Sequence, residues 1–154
     1  MSYSKDEELL KKILNNIIHS TAGIKNAIII DDTGITIMSR SKFATGDDVS
    51  VEKIGAIGGA VFTAGEEQGF LLGYGEIRLQ ITEYNQGMLF SVAVGNGTLC
   101  LATDNNVQIG YIRAVLKKWA PKIAVILARY LKTDQEAMHK ELKELFNSDT
   151  MGLL

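Results

Sequence analysis

The chain is short of several residue types, and each shortage closes off a class of function. One cysteine among 154 residues, Cys100, has no second thiol within the chain to pair with. It sits in the apolar run 99–102 with neither a cation nor a helix N-terminus beside it, so it reads as a buried, reduced thiol of a cytoplasmic protein. The two histidines, His19 and His139, stand alone near expected helix ends without Cys, Asp or Glu at metal-ligand spacing, which leaves no metal site to argue for. Basic charge is not in excess: 16 Lys and Arg face 18 Asp and Glu, intermixed along the chain, for a formal net charge of -2. A nucleic-acid partner is therefore not expected. Long hydrophobic runs are absent as well. The longest candidate, 123–131, is interrupted by Arg129 and falls well short of the roughly 18 to 20 apolar residues that span a bilayer. The acidic, amphipathic N-terminus lacks the basic region and apolar run of a signal peptide, so no membrane insertion and a cytoplasmic location are expected.

What the chain does have is apolar material, 46% of its residues, enough for the core of one domain. It also has an unusual stretch, 50–65, SVEKIGAIGGAVFTAG. Val51, Ile54, Ile57, Val61 and Phe62 recur at helical spacing and predict one apolar stripe. Yet Gly55, Gly58 and Gly59 lie inside it, each at a cost of about 1 kcal/mol relative to alanine. A helix that keeps three such residues, with Ala56 and Ala60 beside them, implies a nearly bare surface on which something docks.

Taken in order, residues 4–19 predict a first helix, with Ser4 and Glu7 at capping-box spacing and Leu9, Leu10, Ile13, Leu14, Ile17 and Ile18 on one face. Residues 26–30 are apolar at consecutive positions, the mark of a strand covered on both sides, and Asp31-Asp32-Thr33-Gly34 then has the chemistry of a hairpin turn into a strand at 35–39. A polar loop, 41–48, leads to the glycine-rich helix, with Asp47, Asp48 or Ser50 as its cap and its end at 65–67. A third strand is expected in two parts, 68–74 and then 75–83, the second alternating with Ile77, Leu79 and Ile81 on one face and Arg78, Gln80 and Thr82 on the other. Residues 88–94 and 98–103, joined by Gly95-Asn96-Gly97, read as central strands. Asp104, Asn105 or Asn106 is expected to cap a long helix that Pro121 kinks or splits. Thr133 and Glu136, at capping-box spacing, open a separate charged helix, followed by a loose tail from 147. The composition shifts only after Lys132, which sets a main domain at 1–132 and an extension at 133–154.

No chemistry stands out. The sequence Gly55-Ala56-Ile57-Gly58-Gly59 lacks the following Lys-Ser/Thr pair of a phosphate loop, and Gly73-Tyr74-Gly75 lacks the third glycine of a dinucleotide fingerprint. Asp31 and Asp32 are explained by their turn, and neither Ser91 nor the pair Ser20-Thr21 has a histidine base nearby in sequence. Catalytic, cofactor-binding and metal residues are each expected to be none. The alternating strand suggests instead that a sheet edge pairs with its copy in a second chain, setting two glycine-rich helices side by side. An edge covered by its own loop is the alternative.

The segment 23–34 (GIKNAIIIDDTG), the small-residue second helix, residues 87–104 with their Gly-Asn-Gly turn, and 106–110 (NVQIG) together resemble the Roadblock family of dynein light chains and small-GTPase regulators over residues 9–129. The resemblance implies an α+β, profilin-like α/β/α sandwich. Its five-stranded antiparallel sheet has the order 2-1-5-4-3, with one helix on one face and two on the other, here with an extra C-terminal helix. It implies a homodimer joined at the third strands and second helices, with Gly58, Phe62, Ile77, Arg78, Leu79, Gln80 and Ile81 at the interface. It also implies a non-catalytic platform for a Ras-like small GTPase, met by Glu52, Lys53, Gly55, Gly59 and Thr63. Two readings compete with this one. The first is an adaptor that captures a peptide or membrane-associated partner through its extended sheet or the helix at 136–146. The second is a sensor with a small ligand between sheet and helix, for which the apolar strands offer no polar pocket.

Overall fold

A computed structural model describes residues 2–42 and 48–152. These form α1 (Ser2–Ile18), β1 (Ile24–Ile30), β2 (Thr36–Ser41), α2 (Asp48–Leu72), β3 (Gln80–Tyr84), β4 (Gly87–Val94), β5 (Gly97–Thr103) and α3 (Ile109–Gly152). All strand pairs are antiparallel and the sheet order is β2-β1-β5-β4-β3, as the family resemblance implies. The turns follow their local chemistry. Gly34 closes the first hairpin at φ 90°, and Gly95 at φ 74° opens a two-residue turn between β4 and β5.

Period-two alternation divides β1 between two layers. Ala27 and Ile29 face α1 and α3, where Leu10, Leu14, Ile17, Phe90, Leu99, Leu101, Ile112, Leu116 and Leu127 complete the main core. Ile28 and Ile30 face the other way and meet Cys100 and Val51 under α2. The consecutive apolar residues of β1 thus have cover on both sides. α1 and α3 are joined at their ends: Arg129 Nη2 donates to Asp6 Oδ1 at 3.0 Å, and the Tyr111 hydroxyl donates to the Ser20 carbonyl at 2.8 Å. Asp6 is buried although it is charged.

Several boundaries differ from the sequence expectation, each for an identifiable reason. α1 starts at Ser2, so Ser4 lies within it. Asp47, offered as a cap, lies outside the described residues; Asp48 is the first residue of α2 and Ser50 is in its first turn. α2 does not stop at Gly65 but runs to Leu72, and the expected strand at 68–74 is its last turn and cap. The stop is Gly73, at φ 73°: its N–H bonds to the Phe70 carbonyl and the Tyr74 N–H to the Gly69 carbonyl, a Schellman closure. Gly65 lies inside the helix, where the absent side chain makes room: a Cβ there would meet Ile77 and Gln80 within 3 Å. β3 is therefore only Gln80–Tyr84, and Ile77, Arg78 and Leu79 lead into it without pairing. Asp104 does not cap α3: its carboxylate accepts from the Asn106 N–H, and the helix begins at Ile109 with Gln108 accepting its first bonds. α3 then passes through Pro121 and through Thr133, so the separate helix expected after Lys132 does not form. The Thr133 hydroxyl bonds back to the Arg129 carbonyl at 2.9 Å, within the helix, instead of capping a new one. The tail expected to be loose is helical as far as Gly152.

Candidate partner-binding site

α2 lies across β1, β2 and β5, and its glycines decide which way it faces. A Cβ on Gly55 would stand 2.5 Å from Thr36 Oγ1 and 3.5 Å from Ile28; one on Gly58 would stand 3.2 Å from Cys100 Sγ; one on Gly59 would meet Ile30 at 3.5 Å. Phe62, one turn on, is buried. Four of the residues singled out for contacts with other chains, Gly55 and Gly59 for the GTPase and Gly58 and Phe62 for the dimer, thus point at the chain's own sheet. The bare stripe exists so that α2 can approach the sheet closely, and the surface on which something was expected to dock is occupied from within. Thr36 Oγ1, covered by Gly55, has no hydrogen-bond partner among the described residues.

The opposite face of α2 is open. Glu52, Lys53 and Thr63 are exposed on the helix, Thr63 on the flank that faces the 31–34 turn. Between them lie Ala56, Ala60 and Ala64 and two larger apolar side chains, Ile57 at 64% exposure and Val61 at 49%. The single apolar stripe expected of these residues is therefore split: Val51 and Phe62 go inward, while Ile54, Ile57 and Val61 go outward. The helix ends in a second exposed group, Phe70, Leu71, Leu72 and Tyr74. Sequence reasoning missed these because it placed 68–74 in a strand.

Around this face the charged groups have local roles. Partial burial pushes the Asp31 carboxyl up, but hydrogen bonds from the Thr33 hydroxyl and the backbone N–H groups of Ile35, Thr33 and Gly34 outweigh it and hold the group below its ordinary value. The Thr33 hydroxyl lies 2.6 Å from Asp31 Oδ1 and the Ile35 N–H 2.9 Å. Burial raises the Cys100 thiol, and its contact with the Ser91 hydroxyl at 3.2 Å offsets that only in part. A groove of about 680 Å³ runs between α2 and the hairpin turns, with Asp31, Asp32, Glu66 and Glu67 on its walls. No group of three metal-ligating side chains occurs among the described residues.

At the far edge, β3 has β4 on one side and, among the described residues, no strand on the other. Of the residues expected at a dimer interface there, Gln80 and Ile81 are in the strand. Leu79 and Ile81 also pack against the main core. Arg78 is exposed, and Ile77 is tied to α2 by its N–H, which donates to Glu66 Oε2 at 3.0 Å.

The sheet order, with one helix on one face and two on the other, is shared with solved structures. A Roadblock/LC7 domain from Streptomyces avermitilis superposes with a TM-score of 0.68 over 75% of this chain and 95% of its own, at 14% identity. The gliding protein MglB of Thermus thermophilus does so with a TM-score of 0.68 over 82% and 90%, at 16% identity. Protein MJ0310 of Methanocaldococcus jannaschii is 31% identical over 106 residues, which cover 69% of this chain and 90% of the relative. The chain belongs to the family of MJ0310, and its fold is the Roadblock fold. No protein-family model matches it. Among the described residues α2 is the one helix on its face of the sheet, so no second layer covers its outer side. Among the described residues no helix is long and apolar enough to cross a membrane.

Proposed function

We propose that the chain is a non-catalytic, cytoplasmic homodimer that binds and regulates a Ras-like small GTPase through the outer face of α2. The observation that carries this reading is that face itself: small residues at 56, 60 and 64, apolar Ile57 and Val61 beside them, and Glu52, Lys53 and Thr63 around them, all exposed in a Roadblock fold. Isolated apolar side chains on a surface need no explanation, but a contiguous strip rimmed by charge is typical of a protein interface. Gly55 and Gly59 support the site from behind by setting the height of α2 above the sheet. The unpaired edge of β3, with Arg78, Gln80 and Ile81, supports joining two copies there. Ala60→Arg places a long cation at an exposed position in the middle of the strip. In pull-downs with Ras-like GTPases loaded with a non-hydrolysable GTP analogue, the wild-type chain is expected to retain one of them and Ala60→Arg to lose it. Retention that is unchanged by Ala60→Arg, or no retention by the wild type, sinks the assignment.

A second reading has its own observation. Beyond the body of the domain α3 exposes Met138, Leu142 and Leu145 on one side, the kind of row by which an adaptor takes a helix or a peptide. In that reading residues 1–132 are the domain and 133–154 the capturing extension. Deleting 133–154 separates the two: GTPase retention survives under the first and partner capture fails under the second.

A further inference from the structure

The sheet is incomplete at one place. β3 pairs with β4 only from Tyr84↔Gly87 to Gln80↔Ser91, whereas β4 continues to Val94. The backbone of Val92, Ala93 and Val94 pairs with β5 on one side and, among the described residues, with no strand on the other, where Arg78 and Leu79 lie near it without pairing, and Ala93 is exposed. Unpaired groups of this kind are a template for an added strand. Alongside them a groove of about 530 Å³ opens between β4 and α3. Leu79, Val92 and Leu116 supply its apolar side, Arg78, Arg113 and Lys117 supply its charge, and no carboxylate lines it.

None of the three cations has an ion pair among the described residues. Arg113 and Lys117 are four residues apart on α3, a spacing at which like charges disfavour the helix, so the cluster is a local cost that the fold does not relieve. The chain as a whole is slightly acidic, which sets this groove apart from a general basic surface. The repeats also agree. Four helical residues rise about 6 Å, and alternate side chains on a strand recur at nearly 7 Å. A strand laid along β4 would thus present successive same-side groups at nearly the separation of Arg113 and Lys117.

We propose that this groove seats an extended acidic peptide, which adds as a short strand to β4 at 92–94 and turns alternate carboxylates toward Arg113 and Lys117. The seat is separate from the outer face of α2, so dimer mass and GTPase retention are expected to be unaffected when it is altered at Arg113 and Lys117. The full chain, labelled with 15N, is titrated with a capped seven-residue peptide that alternates glutamate and valine. Saturable shifts are expected at the amides of Val92, Ala93 and Val94. The double variant Arg113→Glu, Lys117→Glu, whose changes are both on exposed positions, is expected to bind at least tenfold more weakly. Two altered peptides make the test independent of any protein variant: one with glutamine for glutamate and one with N-methylvaline at its centre, and both are expected to lose binding. Undiminished binding of the glutamine peptide would remove the role of the cations, and undiminished binding of the N-methyl peptide would remove the strand. Full displacement by inorganic phosphate would make the groove a site for a free anion. Any of these results, or no shift at 92–94, overturns the proposal.

Discussion

Gly55 and Gly59 are one helical turn apart and behave oppositely under a single methyl group. At Gly55 the new carbon would sit 2.5 Å from Thr36 Oγ1, an atom on a stiff β-branched side chain that cannot move aside cheaply. At Gly59 it would meet Ile30 and Gly34 at 3.5 and 3.7 Å, ordinary contact distances. Overpacking costs about 1 to 3 kcal/mol, whereas replacing glycine by alanine within a helix gains up to about 1 kcal/mol. Gly59→Ala is therefore expected to raise the melting temperature by a few degrees and Gly55→Ala to lower it, as followed by circular dichroism. Asp31 supports a prediction about pH. Its folded-state pKa is depressed, so it contributes stability above the pKa of the unfolded chain, and that contribution is lost as pH falls through the folded value. Asp31→Asn is expected to destabilise the chain at pH 7 but to flatten the acid limb of its stability profile below about pH 4. Equal slopes for the two proteins in that limb would show that the turn does not depend on the carboxylate charge. The Asp-Asp-Thr-Gly turn was legible in the sequence because its chemistry is local. The roles of the glycines were not, because the atoms that need their absent side chains belong to β1, β2 and β5.

Among the elements, α3 carries the most unexpected structure. Its first part packs against α1 and the sheet, and its second part extends through a segment whose Thr133 and Glu136 spell a capping box. Helix continuation needs only one more hydrogen bond per residue, whereas a new helix must be nucleated again, so a capping signal inside an established helix loses to propagation. Where α3 crosses α1, the buried Asp6 depends on Arg129, whose own side chain is 57% exposed. Removing the cation would leave the carboxylate inside without its charged partner, at a cost of about 1 to 3 kcal/mol. Arg129→Ala is thus expected to lower the urea midpoint, and the double variant Asp6→Asn, Arg129→Ala to recover part of the loss. No recovery in the double variant would show that Arg129 acts through its aliphatic stem and not through its charge.

For the whole molecule, the described residues leave two surfaces that the proposed function uses, the edge of β3 and the outer side of α2; α2 lies over the β2-β1-β5 end of the sheet, and β3 is the opposite edge. Light scattering on the full chain is expected to give twice the chain mass at micromolar concentration. Ile81→Lys, in the edge strand, is expected to return it to the monomer, while Ala60→Arg leaves it dimeric. A wild-type monomer under those conditions would remove the dimer from the proposed function. The helix order, the hairpins, the two-sided burial of β1 and the central position of β5 followed from the sequence alone, because periodicity and turn residues act over a few neighbours. The end of α2 at Gly73, the unbroken α3 and the inward glycines were settled by tertiary structure. The inward glycines depend on which residues of other elements they meet, as Thr36 meets Gly55 and Ile77 meets Gly65, and those contacts join parts of the chain that its local patterns do not connect.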